Sequence, residues 1–216
     1  MSNLRRIKCK SREEWLQRRA EINGIGASEC SAIVGMSSWK TARDLWNEKV
    51  GITKPKDLSD NEQVQKGIRV EPALRELFKA NHPEFKVYHE PYDILFQKER
   101  PWLFATLDGR IKTEDGRFAI LEIKSSTPVG KSGWAKWDMR IPDAYMCQAL
   151  WQLLATDYDF VILYAGLYSP DGSMTIREYE IARVDVTGDM EWLLKEGEAF
   201  HQSIEQKKLP SLTLVI

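Results

Sequence analysis

Phe104-Ala105-Thr106-Leu107-Asp108-Gly109-Arg110-Ile111-Lys112-Thr113, Glu114-Asp115-Gly116, then Arg117-Phe118-Ala119-Ile120-Leu121-Glu122-Ile123-Lys124-Ser125-Ser126 is the stretch on which the fold turns. Two apolar runs flank a short polar loop, the pattern of a β-hairpin. Glu114-Asp115-Gly116 fits a three-residue connection with Gly116 in the left-handed conformation. That register pairs Thr113 with Arg117. Counting outward puts Asp108 opposite Glu122 and Thr106 opposite Lys124. Side chains alternate faces along a strand, so Asp108, Glu122 and Lys124 are expected on one face. Opposed Cβ atoms there would lie roughly 5 Å apart.

Two carboxylates directly opposite each other repel, and here Leu103, Leu107, Ile120, Leu121 and Ile123 surround them. A divalent cation turns that liability into a site, and hard oxygen ligands suit Mg2+, with Mn2+ as a substitute. Lys124, two residues on, would lie beside the ion, placed to orient or deprotonate a water or to neutralise developing charge. Asp, Glu and Lys at these spacings also occur on ordinary solvated hairpins.

Working outward, residues 95–126 and 160–181 read as strands, the second pair joined by a Ser169-Pro170-Asp171-Gly172 turn. Between them residues 143–155 read as a helix entered through Pro142. Upstream, Glu62–Asn81 reads as a helix with Val64, Ile68, Leu74 and Phe78 on one face. Pro72 inside it implies a kink or a fresh start. Glu71 lies near the apolar stripe, where an unpaired carboxylate is costly and a metal or an ion pair would resolve the cost. Further upstream, Ser11-Arg12-Glu13-Glu14 is a capping box opening a helix to about Glu21, which Asn23-Gly24-Ile25-Gly26 ends. Ser28 is expected to cap a second helix, and Thr41 a third that Gly51 closes. Residues 54–61 are polar and form the loop or hinge candidate. Residues 187–208 are the expected closing helix. The order predicts an α/β (α+β) fold, a central mixed sheet flanked by helices.

The 216 residues suit one domain: a helical N-terminal part over residues 1–60, then a catalytic core over 61–216. Apolar content of 43% with 29% charged residues reads as soluble and globular. No apolar run is long enough for a bilayer, and MSNLRRIKCKSREEW has no apolar signal core, so no membrane association and a cytoplasmic setting are expected. Cys9, Cys30 and Cys147 form no CxxC pair, which disfavours a structural zinc site, a disulfide framework or an iron–sulfur cluster. Net charge of −1 leaves room for a local basic surface.

Four stretches carry a resemblance. They are Trp15-Leu16-Gln17-Arg18-Arg19 with Ile25-Gly26-Ala27-Ser28-Glu29; Gly67-Ile68-Arg69-Val70-Glu71-Pro72; Thr106-Leu107-Asp108-Gly109 with Leu121-Glu122-Ile123-Lys124-Ser125; and Pro142 with Tyr145-Met146-Cys147-Gln148. In this order the chain resembles the lambda-exonuclease and YqaJ-type phage recombinase family of the PD-(D/E)xK nuclease superfamily. The proline of the first motif is absent before Asp108. The resemblance implies a restriction-endonuclease-like core. Asp108, Glu122 and the Ile123 carbonyl would bind Mg2+, with Lys124 the catalytic lysine. Glu71 would be the helix-borne acid, and Gln148 would reach the site from the next helix. Arg19 and Ser28, with Thr106 lining, would recognise a terminal 5′-phosphate. The spacing leaves Arg18 as an alternative to Arg19, and Ser28 as an ordinary helix cap. Implied too are 5′-to-3′ degradation of linear double-stranded DNA leaving 3′ overhangs, a homotrimer ring, and a single-strand-annealing partner in phage-type recombination. That setting is the bacterial host cytoplasm. Rival readings are a structure-specific endonuclease on the same fold, a catalytically inactive DNA-binding module, or an interaction protein. Tyr145, Gln148 and Gln152 share a helix face, and Gln152 is expected to be exposed. Trp102, Trp134 and Trp137 flank the site segments and are expected mostly to pack, with base stacking as the alternative.

Overall fold

The computed structural model describes residues 3–210. In chain order it begins with β1 (Leu4–Lys8), α1 (Arg12–Ile22), β2 (Ile25–Gly26), α2 (Cys30–Ile33), α3 (Ala42–Lys49) and α4 (Glu62–Asn81). Then follow β3 (Lys86–Tyr88), β4 (Asp93–Gln97), β5 (Leu103–Ala105), β6 (Gly109–Lys112) and β7 (Phe118–Ser126). After α5 (Gly130–Ala135) and α6 (Asp143–Thr156) come β8 (Phe160–Tyr168), β9 (Met174–Ala182), a 3-10 turn and α7 (Thr187–Glu205).

The helix ends are written locally. Ser11 accepts from the Glu14 N–H, while Glu14 reaches back one residue further than a capping box requires, to the Lys10 N–H. Thr41 and Asp44 form the full reciprocal box at α3, and Gly51 follows it at φ +80°. Asn23, left-handed at φ 47°, stops α1. α4 runs through Pro72 as one 20-residue helix, with neither a restart nor a break. The carbonyl that loses its donor belongs to Ile68, which is 55% exposed and so can turn to water.

Other expectations are corrected. Ser28 caps nothing: it is exposed, α2 opens at Cys30 and Glu29 holds the cap position. The N-terminal part is not purely helical, because Leu4–Lys8 pairs antiparallel with β4. Val64 and Ile68 are exposed, so only the second half of α4, through Leu74 and Phe78, enters the core. α7 ends at Glu205, three residues early.

Two mixed sheets replace the single expected one, in the orders β1-β4-β5-β2 and β3-β6-β7-β8-β9. The hairpin keeps its register: Thr113 N–H donates to the Arg117 carbonyl, Gly116 sits at φ +87°, and Gly109 pairs with Leu121. The ladder ends there, and residues 106–108 carry the chain to the other sheet, so Thr106 does not oppose Lys124. β7 and β8 are parallel with α6 in the crossover, as parallel neighbours require. β7 is buried on both faces. Ala119, Leu121 and Ile123 pack with Leu74 and Phe78 of α4, whereas Ile120 joins the larger core of α2, α6 and α7. Trp102 and Trp137 pack in these interiors. Among the described residues no helix is long and apolar enough to cross a membrane.

At the far end of α4, His82 lies between Glu178 and Glu84, with ring nitrogens 2.9 and 3.1 Å from their oxygens. Burial pulls its pKa down, but hydrogen bonds and charge from both carboxylates outweigh this and raise it. A raised value means the folded state holds the proton more tightly. The stabilisation is therefore complete below the unfolded imidazole's pKa, about 6.5, and is lost as pH rises through the folded value. Glu178→Gln is expected to lower the urea midpoint at pH ~5.5 and to leave it nearly unchanged at pH ~8.5. Equal losses at both would remove this account.

Candidate active site

Asp108 stands where the chain leaves one sheet for the other, and three contacts hold it. Its Oδ2 accepts from the Ile123 N–H at 2.8 Å. Its carbonyl accepts from Arg75 Nε at 2.9 Å and faces His89 Nδ1 at 3.0 Å. A side chain at the next residue would crowd its neighbours: a Cβ on Gly109 would sit 3.1 Å from the Leu121 Cβ and 3.2 Å from Val87. The Asp108 carboxyl is pushed well above the usual range, first by burial and then by the charges of Glu122 and Glu71. Lys124 and the Ile123 N–H offset this only in part.

Glu122 is 1% exposed and points to the α6 side of β7. Gln148 Nε2 donates to its Oε1 at 2.6 Å, Gln152 Nε2 to its Oε2 at 2.5 Å, and Lys124 Nζ lies 2.5 Å from Oε1. The Lys124 ammonium also donates to Gln148 Oε1 at 2.9 Å and rests 4.9 Å from the Tyr145 ring centre. Burial lowers its pKa, but Glu122 and Asp108 outweigh that and raise it.

Gln152 is a correction: it is fully buried against Glu122 instead of exposed. A neutral amide can donate to a carboxylate there without adding charge. The signal was present in the sequence. Gln148 and Gln152 stand one turn apart in a helix whose other residues, Ala149-Leu150-Trp151 and Leu153-Leu154-Ala155, are apolar all round, and such a helix is buried.

Glu71 is paired, not orphaned. It forms an ion pair with Arg75, the residue that also holds the Asp108 carbonyl. α4 thereby delivers a carboxylate to the same sheet edge from the face opposite α6. Among the described residues no three His, Cys, Asp or Glu side chains form a metal cage by themselves. The donor set still fits a hard ion. Two acidic groups converge with too little countercharge, and the Ile123 N–H faces Asp108. On a strand a residue's N–H and C=O leave on the same side, so the Ile123 carbonyl faces Asp108 as well. One or two carboxylates, a carbonyl and water are what Mg2+ ordinarily takes.

The second group of expected residues also gathers, though not all of it. The Arg19 guanidinium lies 4.5 Å from the Trp15 ring centre and 5.2 Å from that of Phe104. Its nearest acid, Glu29, is 3.9 Å away and is engaged by Lys49 at 2.9 Å. Burial lowers the Arg19 pKa, though the group remains a cation. Thr106 Oγ1 accepts from Trp15 Nε1 at 2.9 Å, which brings Thr106 to this pocket. Arg18 turns outward to Glu21, whereas Arg19 turns inward to Trp15 and Phe104. No contact ties Ser28 to it. Gly26 keeps the space open, since a Cβ there would lie 2.8 Å from Arg19 Nη2.

A hairpin that presents two acids and a lysine at a sheet edge, backed by a crossover helix, defines a class. The chain belongs to the YqaJ-like viral recombinase domain family, which residues 14–159 match. It is 33% identical over 138 residues to the uncharacterized protein YqaJ of Bacillus subtilis (strain 168), covering 64% of this chain and 40% of that protein. The chain thus spans about two fifths of the length of that curated relative. Among solved structures it is similar to the alkaline exonuclease LHK-Exo from Laribacter hongkongensis. The TM-score is 0.63 at 17% identity, over 90% of this chain and 93% of that one. Against LHK-Exo in complex with dAMP the TM-score is 0.66 at 18% identity, over the same shares. These likenesses place the fold with the alkaline exonucleases.

Proposed function

We propose that the chain is a metal-dependent 5′-to-3′ exonuclease on linear double-stranded DNA that leaves 3′ single-stranded overhangs. The carrying observation is the convergence of Asp108, Glu122, Lys124, Glu71 and Gln148 at one sheet edge. A recombinase-family domain on an alkaline-exonuclease fold supports a nuclease role. So does the dAMP bound by the structural neighbour, since a nucleoside monophosphate is a product that DNA hydrolysis would release.

In this reading Asp108, Glu122 and the Ile123 carbonyl hold Mg2+, with Mn2+ as a substitute and Glu71 nearby. The ion would supply Lewis acidity and a nucleophilic water at neutral pH. Gln148 and Gln152 fix both oxygens of Glu122. Lys124, tethered by Glu122 and Gln148, orients the attacking water or neutralises charge at the phosphate. Arg19 meets the terminal 5′-phosphate: a guanidinium on aromatic faces, whose one nearby carboxylate, Glu29, is held more closely by Lys49, is pre-organised for that group. Thr106 lines the pocket. Ser28, which caps no helix, keeps a phosphate-facing role here on the resemblance alone. Residues 1–60 and 61–216 work as one nuclease domain in the cytoplasm of a bacterial host. The same resemblance supplies a homotrimer ring and a single-strand-annealing partner.

The test uses linear duplexes with a 5′-phosphate or a 5′-hydroxyl, a closed circle, and either Mg2+ or EDTA. The expected result is Mg2+-dependent release of nucleotides from the phosphorylated end with the circle spared. Arg19→Ala is expected to abolish the preference for phosphate, with a loss of about 10-fold to 100-fold on the phosphorylated end, as removing a charge-assisted contact implies. Cutting of the circle would favour the endonuclease reading. A folded protein that cleaves nothing under either metal would sink the proposal.

A further inference from the structure

We propose that the cleft lined by Trp39, Lys136, Arg140 and Tyr145 seats single-stranded DNA, a base stacking on Trp39 and phosphates meeting Lys136 and Arg140. This rests on the nuclease reading above and names where the separated strand lies.

The cleft continues the active-site face. Glu122, Lys124 and Ser126 alternate onto one side of β7, and Ser126 lines the cleft. Tyr145, which lies under the Lys124 ammonium, lines it too. Its volume of about 480 Å³ is within the range that takes a small organic ligand.

The walls have the chemistry of a strand, not of a protein core. Trp39 is 62% exposed, although an indole gains most from being covered. Among the described residues its ring meets neither another ring nor a cation. The turn that carries it is nonetheless held, because Ser37 Oγ accepts from the backbone N–H of both Trp39 and Lys40. Lys40 in turn pairs with Glu48 of α3 at 2.5 Å. In the same cleft, Lys136 and Arg140 are exposed and form no ion pair among the described residues. Arg140 follows Met139, which is 94% exposed at φ 52°, a backbone conformation that L side chains rarely adopt. Two cations face one carboxylate, Asp143, so the lining is net positive.

An exposed indole and two unpaired cations lining one cleft fit base and phosphate, and stacking of this kind tolerates any base. It requires an unpaired base, which a duplex offers only at an opened end. A strand drawn from such an end toward Lys124 would cross this cleft.

The test is fluorescence anisotropy with a labelled dT 12-mer in EDTA at a series of salt concentrations, beside Mg2+-dependent digestion of linear duplex. Trp39→Ala is expected to bind about 5-fold to 100-fold more weakly with an unchanged salt slope. Trp39→Phe should recover most of the affinity. Lys136→Ala/Arg140→Ala should lower the slope by about 1.4, the value for two phosphates on a single strand. Circular dichroism would establish that each variant is folded. Unchanged affinity in Trp39→Ala, equal loss in the Ala and Phe variants, or a wild type that digests duplex without binding the 12-mer would each overturn the cleft while leaving the nuclease reading intact. A wild type that neither digests nor binds would remove both.

Discussion

Replacing Lys124 by Met is expected to reduce cleavage of linear duplex by about 10²-fold to 10³-fold, the scale for losing one charge-stabilising donor at a reacting phosphate. It is also expected to destabilise the fold. Lys124 is the cation closest to Glu122, which is 1% exposed, and removing one partner of a buried pair costs about 3–5 kcal/mol. A solvated strand lysine would show neither effect. The double variant Glu122→Gln/Lys124→Met separates the two roles. With the Glu122 charge removed together with its partner it should recover much of the stability, because neutral replacements of buried pairs are often tolerated. Its activity should stay absent. Urea unfolding beside the digestion assay reads both quantities. If the double variant regains cleavage, the lysine acts only through the fold.

Trp151→Ala is expected to carry a stability loss as large, about 3–5 kcal/mol, as for emptying a buried aromatic site. At about 2–4 °C per kcal/mol for a chain of this size, the melting temperature should fall by roughly 6–20 °C. Trp151 is fully buried, meets Trp102 edge-on at 6.1 Å, and its Nε1–H donates to the Ile25 carbonyl at 3.1 Å. α7 is shaped around it: a Cβ on Gly197 would lie 2.4 Å from the indole. Ile25 belongs to the same two-residue strand as Gly26, which borders Arg19. The loss should therefore reach the surroundings of Arg19 as well as the core. Trp151→Phe keeps part of the volume and should cost less. A melting temperature within a few degrees of wild type for Trp151→Ala would contradict this packing.

How far the sequence could be read depended on how local the cause was. Thr41-Ala42-Arg43-Asp44 and Ser11 mark helix starts because a cap is closed within four residues. Gly116 and the alternation of β7 specify the hairpin and its register for the same reason. The meeting of Asp108, Glu122 and Lys124 followed from that register. Even so, Asp108 reaches Glu122's neighbourhood through the Ile123 N–H, beyond the end of the ladder, and not as a paired strand residue. Leu4–Lys8 was missed because a five-residue edge strand of Leu-Arg-Arg-Ile-Lys shows little alternation and is defined only by β4 beside it. Val64 and Ile68 lie at the right helical spacing, but their face of the first half of α4 is left exposed.

The sequence by itself determined most of the helices, the hairpin and the trio of acids and lysine, since caps, turns and alternation act over a few residues. Tertiary structure alone decided the rest. It split the strands into two sheets, turned Arg19 inward and Arg18 outward, and buried Gln152 on Glu122, 30 positions away in the chain. These outcomes depend on which surfaces meet, because a buried charge takes whatever partners the packing of distant elements brings within hydrogen-bond reach.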